Sequence, residues 1–336
     1  MTMLTQQPIA AAKIYTIHPD RSLDRQALAD SLAQIAGRGS VTERDERLLE
    51  HLRELNALSL DQVRRLLWSG AKPSTAYRRL CLLQKHYLVN GARVPRAGMQ
   101  EWGLAVGKVY ALGEGGRLWL KEEVNPAQLT RHLRRDQVLH DLLVAEVMVR
   151  LAETTRRRGE GWSLAWAGER ATAFGENGGD TSLIAPDGLA VVRQRRGEKS
   201  ASLPFFVEMD ASREAHGRLS SDWGRKVIGY DRLNAGDWRS YPELSNLPTF
   251  PVVTVITHGE QRLLNLADAI LEHRRQPVVY YLALWQDLVS GDDILAVPAW
   301  AIVTGDGQVA GRERAGRQPL VADSGKKTKK AADERK

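Results

Sequence analysis

The chain has 336 residues, of which 43% are hydrophobic, and carries a net charge of +7 at neutral pH. This length is typical of two domains, and the apolar content is sufficient for a core in each. The single cysteine excludes a disulfide framework and a zinc site built on several cysteines. The first residues lack a signal-peptide core, and no apolar run approaches the roughly 18 residues of a membrane span. The sequence therefore predicts a cytoplasmic protein with no membrane attachment.

The charge is distributed unevenly along the chain. Residues 1–135 carry 21 basic and 13 acidic side chains, a net charge of +8. Residues 136–311 carry 18 basic and 24 acidic side chains, a net charge of −6. The last 25 residues carry 9 basic and 4 acidic side chains, a net charge of +5. A basic first part is typical of a protein that binds nucleic acid. The acidic middle reflects either scattered surface carboxylates or, in part, a cation site.

The two ends of the chain are predicted to lie outside the folded domains. Residues 1–41 form a weakly structured N-terminal segment, in which residues 24–36 favour one helix. Residues 311–336 form a basic tail with a cluster of lysines, and charge runs of this kind are usually disordered.

A helical unit is predicted to begin at Thr42. Thr42 and Asp45 form a Thr-x-x-Asp start, which is close to a capping box, and Ser59 is placed to cap a second helix. A third helix is predicted over residues 75–86, after a short turn. Three helices joined by short turns are typical of a helix-turn-helix.

The third helix is the predicted reading helix of this unit, with Leu80 in the core. In a helix-turn-helix, residues near the N-terminus of the second helix of the motif enter the major groove of DNA. A solvated helix surface on a protein-binding module is the alternative reading of these polar positions. The predicted DNA-binding residues of this helix are Ser74, Thr75, Arg78, Arg79 and Lys85.

Two strand-like segments, around residues 88–95 and 108–112, follow the third helix and are separated by a basic stretch that contains glycine. This pattern is typical of the wing of a winged helix. Arg93, Arg96 and Lys108 are then predicted to contact phosphates, which position a protein on DNA without reading its sequence. We therefore predict a winged helix-turn-helix DNA-binding domain over residues 42–121 and a linker over residues 122–135.

The second domain, residues 136–310, is predicted to be α/β. A strand at residues 250–257 is apolar on both faces, so we expect it to be central and parallel. Residues 193–200 read as a basic hairpin connection. The predicted core elements, in the order α-β-β-β-α-β, are a helix at 136–158, strands at 162–167, 182–192 and 203–210, a helix at 217–234 and the strand at 250–257, with a helix at 261–273 and a strand at 278–284 added.

A polar cluster is predicted between the strands and the helix of this domain. Asp187 lies between a proline and a glycine, and Glu208 and Asp210 follow an apolar strand on one face, because strand residues two apart share a side. Lys226 and Tyr230 are four apart on one face of the next helix. Oxygen ligands near strand ends suggest Mg²⁺ or Mn²⁺, which are hard cations.

These polar residues also have alternative interpretations that involve no binding site. Pro-Asp-Gly is a common turn signal, and charged residues at strand ends are usually solvated. Lys226 can either extend to solvent or aim its ammonium at the carboxylates. Glu146, within the long helix, is predicted as an accessory carboxylate that faces the sheet.

Short stretches spread over residues 42–284 carry a family resemblance. These stretches are Thr42-Glu43-Arg44-Asp45, Val109-Tyr110-Ala111-Leu112-Gly113, His140-Asp141, Pro186-Asp187-Gly188, Phe206-Val207-Glu208-Met209-Asp210 and Lys226-Val227-Ile228-Gly229-Tyr230. The α-β-β-β-α-β order, with Pro-Asp on one strand and Glu-x-Asp on the next, is similar to the restriction-endonuclease-like fold, the PD-(D/E)xK group. Together and in order, the stretches resemble the replication-relaxation family of plasmids and other mobile elements.

The resemblance implies a winged-helix DNA-binding domain joined to a nuclease-like domain, with a role in plasmid or mobile-element replication, copy-number control or DNA relaxation. In a catalytic version, Asp187, Glu208 and the carbonyl of Met209 would hold Mg²⁺. The resemblance makes Asp187, Glu208, Asp210 and Lys226 the candidate catalytic residues. The third position of Glu208-x-Asp210 departs from the simplest pattern, which has lysine there, and Lys226 is the candidate to supply that ammonium.

Three functions stay open on the sequence alone. The first is a DNA-binding replication protein that is also a metal-dependent endonuclease. The second is a non-catalytic winged-helix transcriptional or copy-control regulator, whose α/β domain serves assembly or partner binding. The third is a protein-binding adaptor with no DNA contact. Double-stranded DNA is the expected partner, and a homodimer is compatible with the sequence, although no heptad pattern decides it.

Overall fold

A computed structural model describes residues 25–37, 40–94, 99–104, 107–121, 135–175, 182–211, 219–304, 309–311 and 316–321. The chain divides into two compact units, unit 1 (residues 1–149) and unit 2 (residues 150–336). In the described part of the chain, no helix has both the length and the apolar character needed to cross a membrane.

Unit 1 combines helices with a small antiparallel sheet. The sheet has the strand order β1-β3-β2, so the first strand pairs with the third. Its elements are α1 (Arg25–Gly37), α2 (Glu43–Leu55), β1 (Ala57–Ser59), α3 (Leu60–Leu67), α4 (Pro73–Lys85), β2 (Val89–Arg93), β3 (Lys108–Leu112), α5 (Glu114–Trp119) and the first part of α6 (Arg135–Arg158), with a short 3-10 turn at Gln100–Trp102.

The predicted starts of α2 and α3 are confirmed. The Thr42 backbone N–H donates to the Asp45 carboxylate at 2.7 Å, and Asp45 N–H returns to the Thr42 hydroxyl, which completes a capping box. Ser59 and Gln62 form a second capping box at α3. Each box satisfies backbone donors that a helix start leaves unpaired, so local sequence alone fixes where these helices begin.

Helix α1 is a packed part of unit 1. Leu28 and Ile35 are each 1% exposed, and the Ser31 hydroxyl lies 3.0 Å from Nδ1 of His86. The helix expected over residues 24–36 is present as α1, and this amphipathic helix buries its apolar face. The preceding residues lie outside the described part of the chain.

The division between the units falls inside α6. The first half of this helix packs on the small sheet, with Val138 and Leu142 in one cluster with Ala57 and Val109. Glu146, predicted to serve the sheet of the second domain, lies in unit 1 instead. Its carboxylate accepts from Arg65 Nη1 at 2.8 and 2.9 Å and from a glutamine amide of α3 at 3.2 Å. This prediction is corrected: Glu146 is paired inside unit 1.

Unit 2 is a mixed α/β unit built on a large sheet. Its elements are the rest of α6, β4 (Trp162–Gly168), β5 (Phe174–Gly175), β6 (Ser182–Ile184), β7 (Gly188–Arg196), β8 (Lys199–Asp210), α7 (Leu219–Ala235), β9 (Val252–Thr257), α8 (Glu260–His273), β10 (Tyr280–Leu284), α9 (Trp285–Ser290), β11 (Trp300–Val303) and β12 (Val309–Ala310), with a 3-10 turn at Trp238–Ser240.

The large sheet has the strand order β12-β11-β10-β9-β8-β7-β4. Strand β9 lies between β8 and β10 and is parallel to both, which confirms the prediction drawn from its two apolar faces. The strand predicted over 182–192 is two strands, since β6 pairs with β5 in a separate small sheet and β7 begins at Gly188. The break between them places Asp187 at the start of β7.

Helices α7 and α8 cover one face of the large sheet. Trp223, Val227 and Tyr230 of α7 join Phe206 and Val255 of the sheet in one buried cluster. These α7 residues are three or four positions apart, so they form one stripe along the helix, and burying this stripe orients the helix. That orientation decides which side chains of α7 reach the polar end of β8.

Candidate functional site

Glu208 is the centre of a polar cluster between β8 and α7. It lies near the end of β8 on the face covered by the helices, and it is 0% exposed. Its Oε1 accepts from the Tyr230 hydroxyl at 2.7 Å, and its Oε2 accepts from the Lys226 ammonium. Lys226 and Tyr230 are one helical turn apart, so a single face of α7 presents both donors to one carboxylate.

Asp187 joins this cluster from the neighbouring strand. Gly188 pairs with Val207 in the antiparallel register of β7 and β8, which brings Asp187 beside the end of β8. The Met209 backbone N–H donates to Asp187 Oδ2 at 2.7 Å. The structure therefore brings together Asp187, Glu208, Lys226 and Tyr230, four of the predicted site residues.

Gly188 has a packing role next to Asp187. A Cβ atom at this position would lie 2.4 Å from the ring of Trp166, closer than any side-chain contact tolerates. The glycine of the Pro-Asp-Gly sequence is thus required by the approach of an indole from β4. The sequence reading attributed it to a turn, and the tryptophan could not be inferred from spacing alone.

The electrostatics of the cluster are dominated by burial and by one ion pair. Burial raises the pKa of Glu208 above its ordinary value, the Lys226 ammonium opposes that shift, and the Asp187 charge adds to it. Burial works against the charge on Lys226, but the Glu208 and Asp187 carboxylates outweigh it and raise its pKa. The pKa of Tyr230 is raised well above its ordinary value by burial and by Glu208, which keeps the phenol a hydrogen-bond donor.

Lys226, like Asp187, is partly exposed to solvent. Its side chain is 39% exposed, whereas that of its partner Glu208 is fully buried. The ammonium also lies 5.3 Å from the centre of the Trp223 ring. A cation held at this boundary between core and solvent can meet an anion that approaches from outside.

Asp210 has a different set of partners from Glu208. It shares the helix-covered face with Glu208, as strand alternation predicts, but Arg262 of α8 binds its carboxylate in a bidentate pair at 2.8 and 2.8 Å. The Thr257 hydroxyl adds a third donor at 2.7 Å. Asp210 is therefore held by Arg262 and Thr257, and its charge also acts on Lys226 of the cluster.

The carboxylate oxygens of Asp187 and Glu208 are the type of ligand that a hard divalent cation binds. Both side chains offer carboxylate oxygens, each with more than one lone pair, and their charges act on one another. Across the described ranges, no group of three or more His, Cys, Asp or Glu side chains is placed to hold a metal ion. The Met209 carbonyl, the third predicted ligand, accepts a hydrogen bond from the Ala211 N–H at 3.1 Å.

The predicted DNA-facing residues of unit 1 differ in their exposure to solvent. Lys108 is half-buried, and its ammonium lies over the rings of Tyr77 and Tyr110 and donates to Gln84 at 3.2 Å. Arg96 lies outside the described residues. Those that the structure leaves exposed are Ser74, Thr75, Arg78 and Lys85 on α4 and Arg93 at the end of β2.

Arg79 was predicted to face outward, and this placement is wrong. Its Nε donates to Asp45 Oδ1 at 2.8 Å, and its Nη2 binds Asp45 Oδ2 and the Ser40 carbonyl. Asp45 is 0% exposed, so the guanidinium neutralises a buried carboxylate between α2 and α4. Tyr77, which sequence reasoning passed over, lies 45% exposed on the same helix as Arg78.

Comparison with known proteins gives a match to a sequence family. Residues 49–246 match the family model described as replication-relaxation, which is more than half of the chain. Among curated proteins no match is found. Of solved structures, restriction endonuclease FokI aligns at 10% identity with a TM-score of 0.23 over 74% of this chain. The aligned part is 44% of the FokI chain, and a likeness this low carries no argument about fold or function.

Proposed function

This chain belongs to the replication-relaxation family, and on that premise we propose that it is a DNA-binding protein of plasmid or mobile-element replication, copy-number control or DNA relaxation. Unit 1 is proposed to bind double-stranded DNA, and unit 2 to cleave a phosphodiester with the help of Mg²⁺ or Mn²⁺. The observation that carries the proposal is the meeting of Lys226, Glu208 and Asp187 at one end of β7 and β8.

The proposal for unit 1 is a winged helix-turn-helix. The order α2-β1-α3-α4-β2-β3, with β1 paired to β3, supports it, since the strand pair β2–β3 follows directly on the predicted reading helix. Helix α4 leaves Ser74, Thr75 and Arg78 exposed at its N-terminal half, which is the part that enters the major groove in helix-turn-helix proteins. Arg93 at the end of β2 is exposed and is proposed to contact phosphate.

The proposal for unit 2 rests on what its side chains can do to a phosphodiester. Asp187 and Glu208, with the Met209 carbonyl, would hold the divalent cation, which when bound lowers the pKa of a water and offsets phosphate charge. Lys226 keeps a full positive charge beside Glu208 and is placed to stabilise negative charge that develops on the phosphate. Tyr230 donates to Glu208 and so fixes the orientation of that carboxylate.

Asp210 is proposed to have a supporting part. Its bidentate pair with Arg262 and its bond from Thr257 tie the end of β8 to β9 and α8. Because Glu208 is two residues away on the same strand, this tie holds the backbone that carries the site. Asp210 is then a structural carboxylate in this proposal, and the ammonium of the PD-(D/E)xK pattern comes from Lys226.

A melting experiment tests the cation site independently of cleavage. We expect Mg²⁺ or Mn²⁺ to raise the melting temperature of the parent, since a ligand that binds only the folded state stabilises it, by about 2.7 kcal/mol at 100 times its Kd. Asp187→Asn should lose most of this rise, whereas Asp237→Asn, a change at an exposed carboxylate, should retain it. Equal rises in all three proteins would contradict the assigned ligands.

A non-catalytic regulator is the second candidate, and one observation favours it. Both oxygens of Glu208 already accept hydrogen bonds, and the residue is fully buried, so the cluster also satisfies itself as a structural ion pair. Unit 2 would then serve assembly or partner binding. DNA binding without any cation-dependent rise in melting temperature and without cleavage is the outcome that selects this candidate.

A further inference from the structure

A second basic feature lies in unit 2, at the hairpin between β7 and β8. Arg195 pairs with Ser200 and Arg196 with Lys199, and a two-residue turn, Gly197-Glu198, joins the strands with φ +59° at the glycine. Strand β4 also pairs with β7, and Gln194 is the last β7 residue in that pairing. Residues 195–200 therefore form a two-stranded ribbon, which we call the tip ribbon.

The dimensions of the tip ribbon match a groove of duplex DNA. The Arg195 N–H still donates to the Gly161 carbonyl at 2.7 Å, so the ribbon extends two residues beyond this contact, roughly 7 Å at 3.3 Å per residue. The major groove of B-DNA is about 12 Å wide and about 8.5 Å deep, and it admits a two-stranded β-ribbon. All six residues of the tip ribbon are exposed.

The charges of the tip ribbon are unusually concentrated. Arg195, Arg196 and Lys199 lie within five residues, with Glu198 as the one carboxylate of that stretch. Arg196 stands directly opposite Lys199 in the register, and like charges directly opposite each other destabilise an antiparallel pair. Arg195 Nε donates to the Gly197 carbonyl at 3.3 Å, and this partner is neutral.

The cations occupy both faces of the tip ribbon. Directly paired residues share a face, and successive residues alternate, so Arg195 lies on one face and the Arg196–Lys199 pair on the other. A ribbon that lies flat on an anion needs cations on one face. Cations on both faces fit a ribbon set between two phosphate backbones, which is the situation inside a groove.

We propose that the tip ribbon enters the major groove of duplex DNA and contacts the phosphates on both sides. This inference deepens the proposed function, on which it rests, by adding to unit 2 a DNA contact separate from the carboxylate cluster. Asp187 directly precedes β7, and Arg195 lies eight residues further along this extended segment. The distance between the two residues is therefore roughly 26 Å at 3.3 Å per residue. The tip ribbon thus contacts the duplex at a point separate from the proposed site of cleavage.

Salt-dependent binding of the full chain to duplex DNA without divalent cation tests the inference. We compare the parent with Arg195→Gln/Arg196→Gln and with a matched control, Arg232→Gln/Arg275→Gln, whose residues are exposed elsewhere in unit 2. Each lost phosphate contact lowers the slope of log K against log salt by about 0.9, so the tip variant should lose about 1.8. Between 50 and 200 mM salt the parent should then lose about 12-fold more affinity than the tip variant.

Stability serves as a second readout. Arg196 is exposed, so Arg196→Gln should leave the melting temperature close to that of the parent while it weakens DNA binding. A tip variant whose affinity and salt slope equal those of the control overturns the inference and leaves the proposed function standing. A parent that does not bind duplex DNA overturns both.

Discussion

Replacing Arg79 by alanine should destabilise unit 1, although sequence reading placed this side chain on the DNA-binding face. The change removes both arginine contacts to the Asp45 carboxylate and the contact to the Ser40 carbonyl. It leaves Asp45 buried with donors from Thr42 alone, at 2.7 Å from the N–H and 2.6 Å from the hydroxyl.

The cost can be bounded from these contacts. Removing one partner of a buried ion pair costs about 3–5 kcal/mol. The side chain of Arg79 is 22% exposed and Asp45 keeps two hydrogen bonds, so we expect the lower end, about 3 kcal/mol. At about 2–4 °C per kcal/mol for a unit of this size, the melting temperature should fall by about 6–12 °C.

The assay is urea unfolding and thermal melting of the parent, Arg79→Ala and Arg78→Ala. Arg78 is the matched control, since it is the adjacent arginine and is exposed, so its loss should stay within about 0.5 kcal/mol. Two variants that unfold within 0.5 kcal/mol of each other would refute the assigned ion pair.

Acid pH provides a further check on the same pair. Burial alone would raise the pKa of Asp45, but the hydrogen bonds from Arg79 and Thr42 outweigh burial and hold it below its ordinary value. The folded state therefore favours the ionised form, and the stabilisation is present above the ordinary carboxyl pKa. It is lost as the pH falls through the lowered pKa, so the gap between parent and Arg79→Ala should narrow in acid. A gap that widens there would contradict this assignment.

Three further changes give distinct expectations. Leu80→Ala should cost about 2–5 kcal/mol in urea unfolding, because Leu80 is fully buried, and an unchanged midpoint would mean that α4 is rotated from the observed packing. Arg78→Ala should lower the salt slope of DNA binding by about 0.9 with no change in melting; an unaltered slope would remove Arg78 from the DNA face. Gly188→Ala should lower the melting temperature, since its methyl group would lie 2.4 Å from Trp166; a melt equal to that of the parent would show that the indole moves aside.

Local sequence signals predicted much of the fold. The capping residues Thr42 and Ser59 fix helix starts because they bond to backbone groups three residues away. The apolar run of β9 predicts a central parallel strand because both faces must be covered. The pairing of Lys226 and Tyr230 on one helical face could also be anticipated, since a helix places residues four apart side by side.

The errors concern partners that are distant along the chain. Arg79 looks like a surface residue until Asp45, 34 positions earlier, is brought against it. The position of Asp210 on β8 does not reveal that Arg262, 52 positions later, binds its carboxylate. Glu146 was assigned to the wrong unit for the same reason, since Arg65 lies 81 positions away. Spacing along one element identifies its faces, but the partner of a buried charge depends on tertiary packing.

Nicking of supercoiled plasmid DNA in Mg²⁺ or Mn²⁺ tests the central claim most directly. We predict that the parent converts supercoiled plasmid to open circles, and that Glu208→Gln and Lys226→Gln each reduce the rate by about 100-fold or more, the usual effect of removing one transition-state stabilising group. Arg232→Gln, an exposed change on the same helix α7, should keep the rate of the parent. No nicking by the folded parent in either metal, or equal nicking by all four proteins, would contradict a nuclease site at Asp187, Glu208 and Lys226.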